Sequence, residues 1–377
     1  MFSKLFGKSN KKNDDDDDDD DTTILYTMPG EDEVLHEATW LQWPHNYGTT
    51  KYDRNRKRLE RYEESYILMV QELCKSDERV RIIVYDEESL NRLRPILEQR
   101  IGTSNMKQID MYVMKYDDVW IRDNGPIFVY DKRNANRLCI TNWEFNGWGK
   151  KVDDYKLSNE IPKLVGAALS MNVIDIPENF VHEGGSVEID VTGGTLLGKK
   201  SSILNSNRNP GWNIEDVEYY YRKYLGVTNF IWLDGKKGGS DITDDHIDGT
   251  ARFANGDTIV TYYRDDFVNK KEYDILKESK NANGQHYKIV HLPITSKKLS
   301  GYGDYGFYIN YYVGNTVVLV PSFNDPNDTK AQDVLSKVYP TRRVVGIPMI
   351  EILKDGGMIH CITQQQPISM SSLSPRR

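Results

Sequence analysis

Cysteine is scarce in this chain of 377 residues, which contains Cys74, Cys139 and Cys361 and no others. No two of them form a Cys-x-x-Cys pair, so the sequence supports neither a disulfide framework nor a cysteine-rich zinc site. A compact unit of this length buries roughly three quarters of its unfolded surface, and its stability need not depend on covalent cross-links. The scarcity of cysteine therefore predicts a reducing, cytoplasmic setting.

Long apolar runs and an excess of basic residues are missing too. No stretch reaches the roughly 18 apolar residues that a membrane-spanning helix requires, and the N-terminus lacks the apolar core of a secretory signal. The formal net charge is −8, whereas proteins that bind nucleic acid usually carry a basic footprint. We therefore expect neither a membrane span nor a nucleic-acid partner.

Composition divides the chain into three parts. Residues 1–21, which end in a run of eight aspartates, are predicted to form a disordered leader. Residues 369–377 are rich in Ser, Pro and Arg and are predicted to form a disordered tail. Between them, residues 235–240 resemble a linker but have the length of a loop. We therefore expect residues 22–368 to form a single domain.

Strand-like runs recur in pairs along this domain, and helical patterns lie between them. The pairs, each joined by a Gly, Asn or Asp turn, are 186–190 with 195–197, 250–253 with 257–262, and 310–313 with 316–320. The helical patterns cover 55–75, 214–225 and 330–338. Polar motif residues recur on the same scale, because 60, 63 and 64 residues separate Asp123, Glu183, His246 and Asn310. Such regular spacing predicts an α/β fold of repeated units around a common axis, with one helix in each unit.

Cys361 is a candidate nucleophile, because it lies between the glycine pair Gly356-Gly357 and a polar cluster. A free cysteine taken alone is more commonly a small buried hydrophobe. Its occurrence together with the motifs around Asp123, Glu183 and His246 favours chemistry instead. Hydrolysis of a guanidinium C–N bond needs groups that bind the cation, a soft nucleophile and a proton donor for the departing ammonia.

Each of these needs has a candidate residue. Carboxylates accept paired N–H bonds from a guanidinium group, and Asp123 and Asp248 are the candidates for binding it. His246 is the candidate acid and base, with Glu183 as its orienting partner. A metal site is a weaker alternative, because the His, Cys, Asp and Glu residues match no standard zinc spacing such as His-Glu-x-x-His.

Strand parity makes these predictions more specific, because residues two apart in a strand share a face. His246 and Asp248 would then enter one pocket. If Cys361 faces that pocket, His360 points away from it and serves packing or hydrogen bonding. The same reasoning turns Glu183 inward and its neighbour His182 outward.

The motifs resemble those of the agmatine deiminase family, which belongs with the bacterial-type peptidylarginine deiminases in the guanidino-modifying superfamily. The resemblance covers about residues 28–367. It rests on seven motifs in order: Met28-Pro29-Gly30-Glu31 with His36-Glu37-Ala38-Thr39-Trp40, Trp120 to Pro126, Phe145 to Gly149, Glu183 to Ser186, Leu204 to Pro210, His246-Ile247-Asp248, and Ile359 to Pro367. Several such motifs in the right order are highly specific.

This resemblance implies a pentein catalytic domain of five ββαβ units around a pseudo-fivefold axis, with no metal or organic cofactor. It implies that a small cationic guanidine is the substrate and that agmatine and water give N-carbamoylputrescine and ammonia, a step toward putrescine. Carried over by motif, Cys361 is the nucleophile, His246 is the acid and base, and Glu183 is the partner of His246. Asp123 and Asp248 form the guanidinium clamp, and Trp120 lines the alkyl channel.

The sequence departs from the family pattern at two places beside this pocket. Many members have glycine where Lys150 stands, and Asp244-Asp245 replace the more usual glycine before His246. The sequence also leaves alternatives open: peptidyl-arginine, free arginine or another guanidine as substrate, amidino transfer to an amine, or a non-catalytic pentein-like binding module. A homo-oligomer is equally open.

Overall fold

The structure, a computed structural model, describes residues 23–45, 56–76, 78–192, 194–238, 241–263 and 268–370. The predicted leader, residues 1–21, lies outside the described residues, as does the predicted tail beyond residue 370. Among the described helices, none is both long and apolar enough to cross a membrane.

The strands are short and are distributed along the whole described chain. In order they are β1 (Tyr26–Thr27), β2 (His36–Gln42), β3 (Arg79–Val84), β4 (Ile109–Val113), β5 (Ile127–Asp131), β6 (Arg137–Asn142), β7 (Val173–Asp175), β8 (Val187–Ile189), β9 (Thr195–Lys199), β10 (Asn229–Leu233), β11 (Ala251–Ala254), β12 (Thr258–Tyr262), β13 (Lys288–Leu292), β14 (Tyr312–Val313), β15 (Val317–Ser322), β16 (Arg343–Pro348) and β17 (Gln364–Pro367).

The six longer helices described here are α1 (Arg56–Cys74), α2 (Glu87–Ile101), α3 (Ile161–Leu169), α4 (Ile214–Leu225), α5 (Lys270–Glu278) and α6 (Asn327–Val338). Five of the six connect the second and third strands of a unit, and α2 leads from β3 to the edge strand β4. Single helical turns cover Thr103–Met106, Ile121–Asn124, Lys156–Asn159, Lys200–Ile203 and Ile350–Leu353, and 3₁₀ turns cover Pro177–Asn179, Gly184–Ser186, Ile247–Gly249 and His360–Ile362.

The described strands form five sheets that repeat one topology. In each, an antiparallel pair is followed by a helix and by a third strand that lies parallel to the second. The units are β5-β6-α3-β7, β8-β9-α4-β10, β11-β12-α5-β13, β14-β15-α6-β16 and β17-β2-α1-β3, with β1 and β4 added at the edges. The predicted α/β pentein architecture of five ββαβ units is therefore confirmed.

The fifth unit closes the ring, because β17 from the end of the chain pairs with β2 from its beginning. Gln364 lies opposite Trp40, and Gln366 lies opposite Ala38. The indole Nε1 of Trp40 also donates a hydrogen bond of 2.9 Å to Oε1 of Gln366. The unit that carries Cys361 is thus held by both ends of the domain.

Local sequence explains where the elements lie. Asn213 begins α4 with a capping box, accepting from the amide of Asp216, and Gly226 ends it in the left-handed region at φ 78°. The three predicted strand pairs form the predicted antiparallel ladders. The predicted helix 330–338 begins earlier, at Asn327.

The hydrophobic core follows the units and surrounds the candidate site. Strand β15 is buried from Val317 to Val320, as expected for a strand covered on both faces. The largest apolar cluster joins α1 to the residues before β17 and includes Tyr66, Trp120 and Trp148, and Cys361 packs against it. The core thereby fixes the loops that come before the first strand of each unit.

Each unit carries a polar side chain a few residues before its first strand. In chain order these residues are Asp123, Glu183, Asp248, Asn310 and Cys361. This equivalence accounts for the sequence period, because one position of the repeat supplies a group from every unit. Hydrogen bonds and ion pairs bring these groups together.

Candidate active site

Cys361 lies in the 3₁₀ turn His360–Ile362 and is partly exposed. Its Sγ accepts a hydrogen bond of 3.3 Å from Nδ2 of Asn310 and lies 3.7 Å from Oδ2 of Asp248. Burial, followed by the negative charges of Asp248 and Asp123, raises the pKa of the Cys361 thiol well above its usual value. The free site thus favours the thiol over the thiolate.

His246 lies between carboxylates. Its Nε2 is 2.7 Å from Oε2 of Glu183, and its Nδ1 is 3.6 Å from Oδ1 of Asp123. Burial lowers the pKa of His246, but Asp123, Glu183 and Asp248 outweigh burial and raise it to about 9. At neutral pH the ring is therefore an imidazolium that can donate a proton.

Glu183 is fixed on its other side by Arg208. Its Oε1 accepts a hydrogen bond of 2.6 Å from Nε of Arg208, and both side chains are buried. Although burial opposes ionisation, Arg208 and His246 lower the pKa of Glu183. His182 turns away and places Nδ1 2.9 Å from the hydroxyl of Tyr221. Glu183 is thus a buried carboxylate aimed at His246.

Asp123 has two further contacts. Its Oδ2 accepts a hydrogen bond of 2.9 Å from Nε1 of Trp148, and its Oδ1 accepts one of 3.1 Å from the amide of Gly185. Burial raises the pKa of Asp123, His246 opposes this rise, and the carboxylates of Glu183 and Asp248 add to it. A bound cation would relieve this repulsion.

The prediction that His360 points away from the site is wrong. Its Nδ1 lies 2.8 Å from Oδ2 of Asp248, and its Nε2 lies 3.0 Å from Oε2 of Glu31. Strand parity failed here because residues 360–362 form a 3₁₀ turn, in which successive side chains diverge by about 120°. Both His360 and Cys361 can therefore reach Asp248.

The strand assignment for His246 and Asp248 is also wrong, although both residues reach the site. Ile247–Gly249 is a 3₁₀ turn, with His246 extended just before it. Burial opposes ionisation of Asp248, but His360 and His246 lower its pKa. The carboxylate oxygen next to the Cys361 thiol is thus also the one that faces His360.

Behind Asp248, Glu31 connects several units. Its Oε1 lies 3.1 Å from NH2 of Arg252 and its Oε2 lies 3.3 Å from NH2 of Arg122. Burial opposes ionisation of Glu31, but Arg252, His360 and Arg122 hold its pKa well below the usual value. Arg122, although it precedes Asp123 in the chain, therefore pairs with Glu31.

Trp120 is buried beside the turn that leads to Cys361. A Cβ added to Gly357 would lie 2.3 Å from the Trp120 ring, so glycine allows the chain to pass over the indole. The ring belongs to the same apolar cluster as Trp148, against which Cys361 packs. These two indoles supply an apolar wall beside the cysteine.

Glycine is required at position 185, because the backbone there lies very close to two side chains of the site. A Cβ there would lie 2.6 Å from Nδ1 of His246 and 2.9 Å from Oδ1 of Asp123.

We expect Gly185→Ala to lower kcat/KM by about 100-fold, because it displaces both groups. The matched control is Gly249→Ala, whose Cβ meets no atom within 4 Å. Equal activity of the two variants, measured as ammonia release, would contradict this account.

Several residues that complete the site were not assigned a role from the sequence. Glu31, Trp148 and Arg208 lie within the motifs that carry the family resemblance, and this was the one signal for them. Asn310 was indicated only by its distance of 64 residues from His246. Among the described residues, no group of three or more His, Cys, Asp or Glu side chains is arranged to hold a metal ion.

Comparison with known proteins places this chain in a family. The sequence model of the Porphyromonas-type peptidyl-arginine deiminases matches residues 27–367. The chain belongs to this family. An agmatine deiminase of Stutzerimonas stutzeri is 29% identical over 374 residues, which cover 91% of this chain and 95% of that protein. One from Pseudomonas syringae pv. tomato is 32% identical over 293 residues, covering 70% and 78%.

Solved structures of the family have the same fold. The agmatine deiminase of Enterococcus faecalis superimposes with a TM-score of 0.75 at 24% identity, over 91% of this chain and 96% of that one. A C. jejuni agmatine deiminase with substrate bound gives a TM-score of 0.77, also at 24% identity, over 92% and 97%. The shared fold therefore extends over nearly the whole of this chain.

Proposed function

We propose that this member of the family is an agmatine deiminase, which hydrolyses agmatine to N-carbamoylputrescine and ammonia in putrescine biosynthesis. The observation that carries the proposal is the single cluster formed by the Cys361 thiol, the His246 imidazole and the carboxylates of Asp123 and Asp248. Relatives named agmatine deiminase along most of the chain support the choice of substrate.

The roles follow from charge and reach. Asp123 and Asp248 bind the guanidinium cation, because each is a buried carboxylate that can accept two N–H bonds. Trp120 lines the channel for the alkyl chain. Binding of the cation counters the negative charge that raises the pKa of the thiol, and so promotes ionisation of Cys361.

The reaction then proceeds in two halves. The Cys361 thiolate forms a C–S bond to the guanidinium carbon, and the C–N bond breaks as His246 gives its proton to the departing ammonia. His246 next takes a proton from water, whose oxygen attacks the same carbon. The C–S bond breaks, the urea product leaves and the thiolate is restored. Glu183 orients His246 in both halves.

The charge around the site favours a substrate without a carboxylate. The buried arginines Arg122, Arg208 and Arg252 are each paired with a carboxylate of the protein. Free arginine would need an unpaired cation for its α-carboxylate, whereas agmatine would not. These three arginines are therefore not free to bind an α-carboxylate.

We also propose that residues 22–368 act as one catalytic domain, because all five units contribute a polar residue that comes before the first strand. The three cysteines are free, which supports the proposal of a reducing, cytoplasmic setting.

The test is ammonia release by the purified protein from agmatine, arginine and an arginyl peptide in parallel, with Cys361→Ala as the control. We expect strong preference for agmatine and no turnover by the variant. Preference for another guanidine would overturn the substrate assignment, and absence of turnover with every guanidine would favour a binding module.

A further inference from the structure

A left-handed turn supports the clamp side of the site. The four residues Gly147–Lys150 all have positive φ, with values of 69°, 55°, 79° and 62°. This conformation is unfavourable for Trp148 and Lys150, whose Cβ atoms approach the following carbonyl oxygen. The turn nevertheless presents the Trp148 indole N–H to Oδ2 of Asp123 at 2.9 Å. Something must hold the turn in place.

A second strained segment supports the side of the site that holds the base. Asp244 and Asp245 also lie in the left-handed region, at φ 58° and 74°. The carboxylate of Asp244 accepts a hydrogen bond of 2.7 Å from NH1 of Arg208, whose Nε holds Glu183. A continuous path of charged groups therefore runs from Asp244 to His246.

Lys151 joins these two segments. It directly follows the left-handed turn, and its Nζ lies 2.7 Å from Oδ2 of Asp244. The same ammonium group donates to the carbonyl oxygens of Ile242 at 2.9 Å and of Asp241 at 3.4 Å. Three acceptors on one segment thus hold a lysine that belongs to the other.

The contact differs from an ordinary surface ion pair, which contributes little to stability. The Lys151 side chain is 28% exposed, but that of Asp244 is 2% exposed. Without Lys151, Asp244 would keep its bonds to Arg208, Asn205 and the amide of Gly238. Loss of the lysine would therefore leave no unpaired buried carboxylate and would act on the position of the left-handed turn.

We propose that Lys151 is a positioning residue for the deiminase reaction. It holds the turn that carries Trp148 against the segment that carries Asp244, and so fixes the clamp carboxylate Asp123 and the base pair Glu183–His246 relative to each other. This inference rests on the proposed function for its kinetic part only.

The test compares Lys151→Met with Lys150→Met. Both substitutions remove one ammonium group and keep an unbranched side chain, but Lys150 is exposed and no contact of its side chain supports the site. We expect Lys151→Met to lower kcat/KM by about 10-fold to 100-fold, since a small displacement of reacting groups has effects of this size. Lys150→Met should retain the activity of the unmodified chain, and Lys151→Arg should restore most of it.

A second readout does not depend on the substrate. In ligand-free protein labelled with ¹⁵N-tryptophan, the indole N–H resonance assigned by Trp148→Phe should shift in Lys151→Met and not in Lys150→Met. Lys151→Gln, which also removes the ammonium group, should shift it too, and this variant decides the matter if Lys151→Met does not fold. An unchanged resonance in both variants would overturn the proposal even if agmatine is the substrate.

Discussion

Cys361→Ala is expected to lower kcat for agmatine by about 10⁴-fold or more, because the variant has no atom that can form the covalent bond to the guanidinium carbon. The thiol receives one hydrogen bond, from Asn310, and is partly exposed at the edge of the apolar cluster that it packs against. The midpoint of thermal unfolding should therefore change little. Ammonia release and the unfolding midpoint measured on the same sample separate loss of chemistry from loss of fold.

Cys139→Ala is the matched control for this result. Cys139 is buried in strand β6 within another apolar cluster, and burial raises the pKa of its thiol to about 12. Its loss should lower stability by about 1 kcal/mol, through a small cavity, and leave kcat unchanged. Retained turnover in Cys361→Ala would exclude Cys361 as the nucleophile, whatever the Cys139→Ala variant shows.

The architecture was predictable because one structural unit recurs. A position just before the first strand of every unit carries a polar group. The repeat is therefore visible in the sequence alone, as the spacing of Asp123, Glu183 and Asn310. The strand pairs were predictable for a related reason, since each is closed by a short turn whose residues are local in sequence.

The errors lie where the chain leaves regular structure. Parity holds along a strand, but His360 and His246 lie in or beside 3₁₀ turns, and nothing in the residues nearby distinguishes such a turn from a strand. The supporting ion pairs were missed because they join distant positions. His360 contacts Glu31 across 329 residues, and no periodic pattern in a single sequence carries that information.

The left-handed segments show what composition conceals. Lys150, Asp244 and Asp245 adopt positive φ without being glycine, so their conformation could not be read from residue type. Their cost is accepted where the surrounding contacts determine the backbone. The Asn146 side chain accepts from the amide of Gly149 and donates to the carbonyl oxygen of Asn207, and Lys151 and Arg208 both bind Asp244. Strain and function therefore occur together beside His246, where residue type is least informative about the backbone.

His246→Gln is expected to lower kcat by about 10³-fold, because the glutamine amide can donate an N–H to Glu183 but cannot give a proton to the departing nitrogen. In the unmodified chain, kcat reports the substrate complex, in which the bound cation has promoted ionisation of Cys361, and it should fall at alkaline pH as His246 loses the proton that the leaving group needs. This alkaline limb should be absent from the residual activity of the variant. His291→Gln is the control, because the ring of His291, on β13, contacts the hydroxyl of Tyr273 and no residue of the site.

Stability should follow the same proton. The folded pKa of His246, about 9, lies above the unfolded value of 6.5, so its contribution is fully present below pH 6.5 and is lost as the pH rises through 9. The shift corresponds to roughly 3 kcal/mol. Urea unfolding at pH 6 and pH 10 should therefore show a larger loss of stability in the unmodified chain than in His246→Gln. Identical losses would mean that His246 is not the imidazolium that balances Asp123, Glu183 and Asp248.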